Sequence, residues 1–233
     1  MTFGSGTDGI RYLCGGRDCR VALAGPCPWY PSVGEDRALI EKGVAVIDPV
    51  RLHEDALDRW VADPPLDVET DGGLASLILA EHYCNWRLWS LENEARRPDR
   101  DDAAVAAAKR EIDRWNQLRN DLIERIDENM LAELPPPDPA EAEQHSETAG
   151  QMIDRLSILS LKIRNMRLWA ALEAEGPSAR DWQKKAAQLE EQRDDLARCL
   201  RRLWNDCMAG RRYFKVYRQF KTYRDPGSAG SPK

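Results

Sequence analysis

The chain has 233 residues, 42% of them hydrophobic and 32% charged, with a formal net charge of −6. That length can bury a core without disulfides or metals, and the composition excludes collagen-like, mucin-like and wholly disordered chains. No run approaches the ~18 apolar residues of a membrane span, the first residues lack a signal-peptide layout, and the acidic balance argues against nucleic acid as a partner, so a cytoplasmic protein is expected, with no membrane or nucleic-acid partner.

Residues 1–34 are rich in Gly, Pro and Cys and show no helical period. They read as an irregular arm, followed by a single helical domain over 35–233. Cys14, Cys19 and Cys27 form a loose trio. A structural zinc site needs a tight C-x2–4-C pair and a second pair, with His53 here the nearest fourth ligand. Reduced free thiols fit better, and no metal or cofactor is expected. Short helices are predicted over about Glu35–Lys42 and from Asp48-Pro49 to about Ala62, the second opening with an N-cap and a proline in its first turn.

Four long helices are then predicted, over about Leu74–Arg97, Asp102–Leu131, Gln151–Glu175 and Ala179–Ala209. The segment 132–150 holds four prolines, five acids and no Lys or Arg, and reads as an exposed crossover. Gly176-Pro177 stops the third long helix and Gly210 interrupts the fourth. The last 25 residues carry seven Lys or Arg against one acid. Within them, 211–224 is predicted as a basic helix with Tyr213, Tyr217 and Phe220 on one face. Such a tail can dock on the acidic body, bind phosphate or meet a partner.

The two halves look alike. Asn85-Trp86-Arg87-Leu88-Trp89 matches Asn165-Met166-Arg167-Leu168-Trp169, and Arg119-Asn120-Asp121 matches Arg193-Asp194-Asp195. Chance likeness between amphipathic helices is the bland explanation. The expected fold is all-α: a four-helix core built from two related αα-hairpins, about 74–131 and 151–209, with short N-terminal helices and a C-terminal basic helical segment.

The first long helix places Ile78, His82, Asn85, Trp89, Glu92 and Arg96 on one face, where a plain core stripe would carry only aliphatic residues. The second aligns Lys109, Ile112, Asn116, Arg119, Ile123, Ile126 and Met130, flanked by Asp113, Asn120 and Asp127. With an antiparallel turn near Arg100, His82 and Asn85 stand level with Asn116, Arg119 and Asn120, and Glu92 with Lys109. About Gly176–Ser178, Lys162 and Asn165 come level with Glu190, Arg193 and Asp194, while Asp154 and Arg155 lie towards Arg201. If the hairpins pack face to face, their polar layers meet.

Buried amides and guanidinium groups are costly unless each finds partners. Two explanations fit: a self-satisfied network that fixes helix register, or a polar pocket inside a bundle. For the pocket, His82 and Glu92 are the catalytic candidates, His82 as acid–base group near neutral pH. Asn85, Asn116 and Asn120 would orient a ligand, and Arg119, Lys162 and Arg193 would neutralise an anion. Arg96, Asp154 and Arg155 complete the ligand-binding set, with Trp89 placed to stack on a sugar or base. A magnesium pyrophosphatase pattern is half present as Glu124-x-x-Asp127, but Leu91-Glu92-Asn93-Glu94 lacks the spacing of its other half. No phosphate loop, dinucleotide fingerprint, zinc-protease motif or nucleophile elbow occurs.

Three blocks carry a family resemblance: His82-x-x-Asn85-x-x-Leu88-Trp89-x-x-Glu92, then Lys109-Arg110-x-Ile112-Asp113-x-x-Asn116-Gln117-x-Arg119-Asn120-Asp121, then Ser146-Glu147-Thr148-x-Gly150-x-Met152-Ile153-Asp154-Arg155. Together with Lys221-x-Tyr223-x-Asp225-Pro226 they resemble a bacterial all-helical family called domain of unknown function 4254, over about residues 74–226. The family has no settled activity. Its members often sit beside glycosyltransferase and cell-surface glycan genes, so the resemblance implies a sugar, nucleotide-sugar or sugar-phosphate ligand.

The leading expectation is an enzyme or enzyme-like binder of such an anionic small molecule in glycan or specialised-metabolite biosynthesis. The alternative is a non-catalytic adaptor that holds a biosynthetic partner protein through 211–224. The pyrophosphatase ranks behind both, and a homodimer is compatible with any of them.

Overall fold

The computed structural model describes residues 11–14, 17–20, 47–60, 63, 65, 70, 73–173 and 176–218. Two short strands, β1 (Arg11–Cys14) and β2 (Arg17–Arg20), pair antiparallel within the arm. Five helices follow among the described residues: α1 (Pro49–Trp60), α2 (Leu74–Ala95), α3 (Asp102–Glu133), α4 (Ala149–Leu172) and α5 (Pro177–Met208). The chain is all-α in class, and none of its described helices is long and apolar enough to cross a membrane. The helix expected at Glu35–Lys42 and the side chains of Cys14, Cys19 and Cys27 lie outside the described residues.

Local chemistry sets the helix ends. Asp48 accepts from the Arg51 backbone N–H at 3.2 Å, just before Pro49 opens α1. Asp101 caps α3 by accepting from the Ala104 N–H at 2.7 Å. Thr148 and Gln151 form a reciprocal capping box at α4, each side chain accepting from the other's backbone N–H. Pro177 occupies the first turn of α5. At the other end of α5, Gly210 turns the chain at φ +70°. The Gly210 N–H then bonds the Cys207 carbonyl (3.0 Å) and the Arg211 N–H that of Asp206 (2.8 Å), a Schellman stop that closes the helix.

The helices divide into central and outer ones. α2 and α4 bury residues around most of their circumference, whereas α3 and α5 bury one stripe each. α2 packs chiefly along α3 and α4 along α5; α4 also touches α2 and α3, and α1 rests on α4 and α2. The core gathers around the N-terminal half of α4, where Ile153 and Leu156 meet Ile78, Leu122, Ile126 and Leu203. Removing one such side chain to Ala typically costs ~2–5 kcal/mol.

The tail departs from expectation. Residues 211–218 form no helix. Arg212–Tyr213 is a strand, β4, lying parallel to β3 (Glu143–Gln144) in the acidic crossover. The Schellman stop ends helical geometry one residue before the basic run begins. Backbone pairing to the crossover then takes its place, with Glu143 N–H donating to Arg211 O at 2.9 Å and His145 N–H to Tyr213 O at 2.7 Å. Phe214 is buried beneath the strand. Of the tail's cations, Arg211 bonds Asp206 (2.9 Å), Arg212 pairs with Glu143 (3.0 Å) and Arg218 with Glu128 (2.7 Å). The basic tail thus docks on the acidic body.

Gly150 marks the tightest approach between elements. A Cβ there would lie 2.7 Å from the Ile123 carbonyl oxygen and 3.0 Å from the Asp127 carboxylate. The absent side chain lets α4's first turn seat on α3, where the Gly150 N–H donates to Asp127 Oδ1 at 2.6 Å. Gly150→Ala is expected to destabilise the fold by ~1–3 kcal/mol through overpacking. Urea unfolding checks this, with the helical circular-dichroism signal of the native state unchanged.

Candidate functional site

Where α2, α3 and α4 meet, the packing turns polar. Asn85 of α2 is buried and lies at the centre. Its Nδ2 faces three acceptors: Glu81 Oε1, Asp154 Oδ1 at 2.9 Å and Ser157 Oγ at 2.9 Å. Two amide hydrogens must serve the three. Its Oδ1 accepts from Arg119 Nη1 at 3.4 Å, and Arg119 Nε lies 3.7 Å from Asp154 Oδ1. Ser157 Oγ also lies 2.8 Å from His82 Nδ1. The groups form one chain, from His82 through Ser157 and Asn85 to Glu81, Asp154 and Arg119.

Helix geometry explains the gathering. Glu81 and Asn85 are four apart on α2, and Asp154 and Ser157 three apart on α4, so each pair shares a face. The capping box and the Asp127–Gly150 bond fix where α4 begins, and so set Asp154 and Ser157 opposite Asn85.

Glu81 is fully buried. Burial first, and the negative charge of Asp154 second, hold its carboxyl well above the usual range, against the pull of Arg119. The second Glu81 oxygen, Oε2, has no hydrogen-bond partner among the described residues. Cys84, also buried, has its thiol pushed up to about 12 by burial and is no nucleophile.

The chain has a wet end and a dry end. Asp154 and Arg119 keep 15% and 25% of their side chains exposed, and both line a cavity of about 150 Å³. Asn120, Glu124, Asp127 and Gln151 join its walls, closed by Lys215, Val216 and Tyr217 of the tail. That volume gives room for about one six-membered ring. Asp127 is pushed up to about 6 by burial, although Thr148 and the Gly150 N–H donate to it. The dry end is His82, covered by α1, where its ring stacks on His53 at 4.4 Å and on Trp60 at 5.2 Å.

The structure corrects several expected roles. His82 is fully buried, and burial lowers it to about 3. It stays neutral and lines no cavity, so it positions Ser157 rather than acting as an acid–base group. Glu92 meets Lys109 at 3.5 Å, level as expected, but also pairs with Arg96 at 3.1 Å on the exposed part of α2. Seven residues beyond Asn85, it sits ~10 Å along the helix, away from the cluster. Lys162 is exposed on α4. Arg193 is buried but turned to α1, where it pairs with Glu54 and with its neighbour Asp194. The two polar layers do not meet: α4 offers Asp154 and Ser157 to α2 and α3, and Arg193 of α5 faces elsewhere.

Of the remaining candidates, Asn85, Arg119, Asn120 and Asp154 come together. Asn116 and Trp89 are half-buried nearby, and the Trp89 indole N–H lacks a hydrogen-bond partner among the described residues. Arg155 instead bonds Glu147 at 2.7 Å and lines a more open groove of about 830 Å³ between α4 and α5. Glu81, Ser157, Lys215 and Tyr217 were missed as site residues. For Glu81 the signal was its four-residue step from Asn85. Among the described residues, no group of three His, Cys, Asp or Glu could hold a metal ion, and Asp127 caps α4.

Residues 75–216 match the family described as "Protein of unknown function (DUF4254)". The chain belongs to this family. The match begins in α2 and runs through the cluster to Val216 on the cavity wall; α1, with His53, lies outside it. No curated protein and no solved structure matches the chain.

The carboxyl at the centre of this family member gives opposed pH signatures. Glu81 has a raised folded-state value, so its contribution is full below the unfolded carboxyl range and is lost as pH rises through the folded value. Glu81→Gln keeps the bond from Asn85 and does not titrate. The variant is expected to gain stability relative to the native chain from pH 4 to pH 8, read by urea unfolding; parallel curves would contradict it. His82 tilts the other way. Its contribution is full above 6.5 and fades as pH falls towards about 3, so the deficit of His82→Gln is expected to shrink on the acid side.

Proposed function

We propose that the chain binds a small hydroxyl-rich molecule, a sugar or sugar phosphate, in the cavity beside the Asn85 cluster, with Asp154 as the group that exchanges a proton with it. The observation that carries the reading is Glu81: a fully buried carboxyl, held well above its usual range, placed behind Asp154 and Arg119 at the edge of an open cavity. Strongly perturbed carboxyls beside a cavity concentrate at working sites. A network serving register alone needs neither the charge at its rim nor the opening.

The cavity chemistry suits the ligand class. Asp154, Glu124, Asn120 and Gln151 can accept from or donate to ring hydroxyls, and Tyr217 offers an aromatic face. Its volume lies below the ~300 Å³ typical of drug-sized pockets. A sugar ring fits inside, and any nucleotide would extend outside. Biosynthesis of a glycan or a specialised metabolite would be the setting. The adaptor reading has less support, because three arginines of the basic segment are committed to body carboxylates.

Titration with a panel of hexoses, hexose phosphates and nucleoside diphosphate hexoses tests the proposal. At least one is expected to bind, and Arg119→Ala and Asp154→Asn to weaken it about tenfold or more, as loss of a charge-assisted hydrogen bond implies. Helicity should be retained. No binding across the panel, or binding insensitive to both substitutions, would overturn the reading.

A further inference from the structure

The tail residues that wall the cavity are held in place from both sides. Before them, β4 pairs with β3 and Phe214 is buried. After them, Arg218 bonds Glu128 of α3 at 2.7 Å. The intervening Lys215, Val216 and Tyr217 therefore form a strap anchored at each end across the mouth of the site, and all three line the cavity.

Charge accounting along this strap singles out one residue. Arg211, Arg212 and Arg218 each have a carboxylate partner. Lys215 has none among the described residues. Its ammonium group lies over the Tyr213 ring, 5.8 Å from the centroid. Arg119, the other cation on the cavity wall, already faces Asp154. Nor does the start of α4 offer an anion seat. The Thr148, Gly150 and Gln151 N–H groups are all engaged, by Gln151, Asp127 and Thr148 respectively. Lys215 is thus the one cavity-lining cation whose charge is not already answered within the described structure. Beside it, Tyr217 is 71% exposed and offers an aromatic ring and a hydroxyl at the mouth of the cavity.

We infer that the strap is the selectivity element of the site: Lys215 takes the phosphate of a phosphorylated sugar, and Tyr217 packs against the sugar ring. The inference rests on the ligand reading above and narrows it, because the carboxyl-rich interior of the cavity favours hydroxyls, and only the strap supplies an uncommitted positive charge. The pairing also places the two ends of the ligand, with the ring towards Asp154 and Asn120 and the phosphate towards solvent. The phosphate keeps part of its hydration there, and a nucleotide attached to it would run outward.

The experiment measures affinity of the full chain for glucose, glucose 1-phosphate and uridine diphosphate glucose, and for the galactose and mannose counterparts, at two salt concentrations. In the native chain a phosphorylated sugar is expected to bind at least tenfold tighter than the parent hexose. Lys215→Gln is expected to erase that preference and flatten the salt dependence, while Lys215→Arg restores the preference. Tyr217→Ala should weaken hexose and hexose phosphate alike. Comparing the monophosphate with the nucleotide form tells which source supplies the phosphate, and a Lys215-dependent gain with either supports the inference. A hexose that binds with no gain from phosphate, or a gain that survives Lys215→Gln, overturns the strap's role and leaves the ligand reading standing. Absence of binding by every sugar overturns both.

Discussion

Asn85 is where three helices agree on their register. Its amide meets carboxyls from α2 and α4 and the hydroxyl of Ser157, and its oxygen meets the guanidinium of α3. Apolar packing alone tolerates sliding, because one leucine-lined groove resembles the next. A buried amide with four partners does not, since a shift of one turn would leave several polar groups dry and unpaired. The site exists because this crossing is polar, and the crossing is fixed because α4 can start in only one place. Gly150 and Asp127 decide that place.

This division explains what could be read from the sequence. Caps are local, so the start of α1 was visible in Asp48-Pro49. Within one antiparallel pair, equal distance from a turn predicts equal height, and Glu92 with Lys109 and Asn85 with Arg119 followed from that. The rule has no purchase between α2 and α4, which are separated by the whole of α3 and the crossover. Their register depends on a glycine's missing side chain, which periodicity does not encode. Asp154 was therefore set towards Arg201 when it belongs opposite Asn85, and Arg193 was assigned to a layer that α1 draws it away from. The tail was misread for a related reason. Its aromatic spacing suits a helix, but Gly210 ends α5 in a left-handed turn and the crossover offers a strand edge instead.

Charge in this chain works at three depths. Ion pairs on the helix surfaces, such as Arg96–Glu92, contribute little individually. The contacts between tail and body are more specific. They combine backbone pairing, a buried Phe214 and cations matched to carboxylates on α3, α5 and the crossover, so Arg211, Arg212 and Arg218 are each answered by the body. The innermost charges are few and individually placed. Arg119 and Asp154 remain in partial contact with water, and behind them burial and the charge of Asp154 hold the Glu81 carboxyl well above its usual range, against the pull of Arg119.

Glu81 is the hardest residue to justify by folding alone. Glutamine at that position would keep the bond from Asn85 and remove a carboxyl that burial holds well above its usual range. The fold bears a standing penalty there, while Gly150, the capping box and the Leu156 core supply compensating stability nearby. Where sequence patterning and fold stability disagree in this way, a function usually accounts for the difference. The buried carboxyl stands behind a partly exposed one, and Arg119 pulls Glu81 downward against burial and the charge of Asp154. The exposed side of the cluster faces the 150 Å³ space under the strap, and the buried His82 and Ser157 complete the arrangement by holding Asn85 in place.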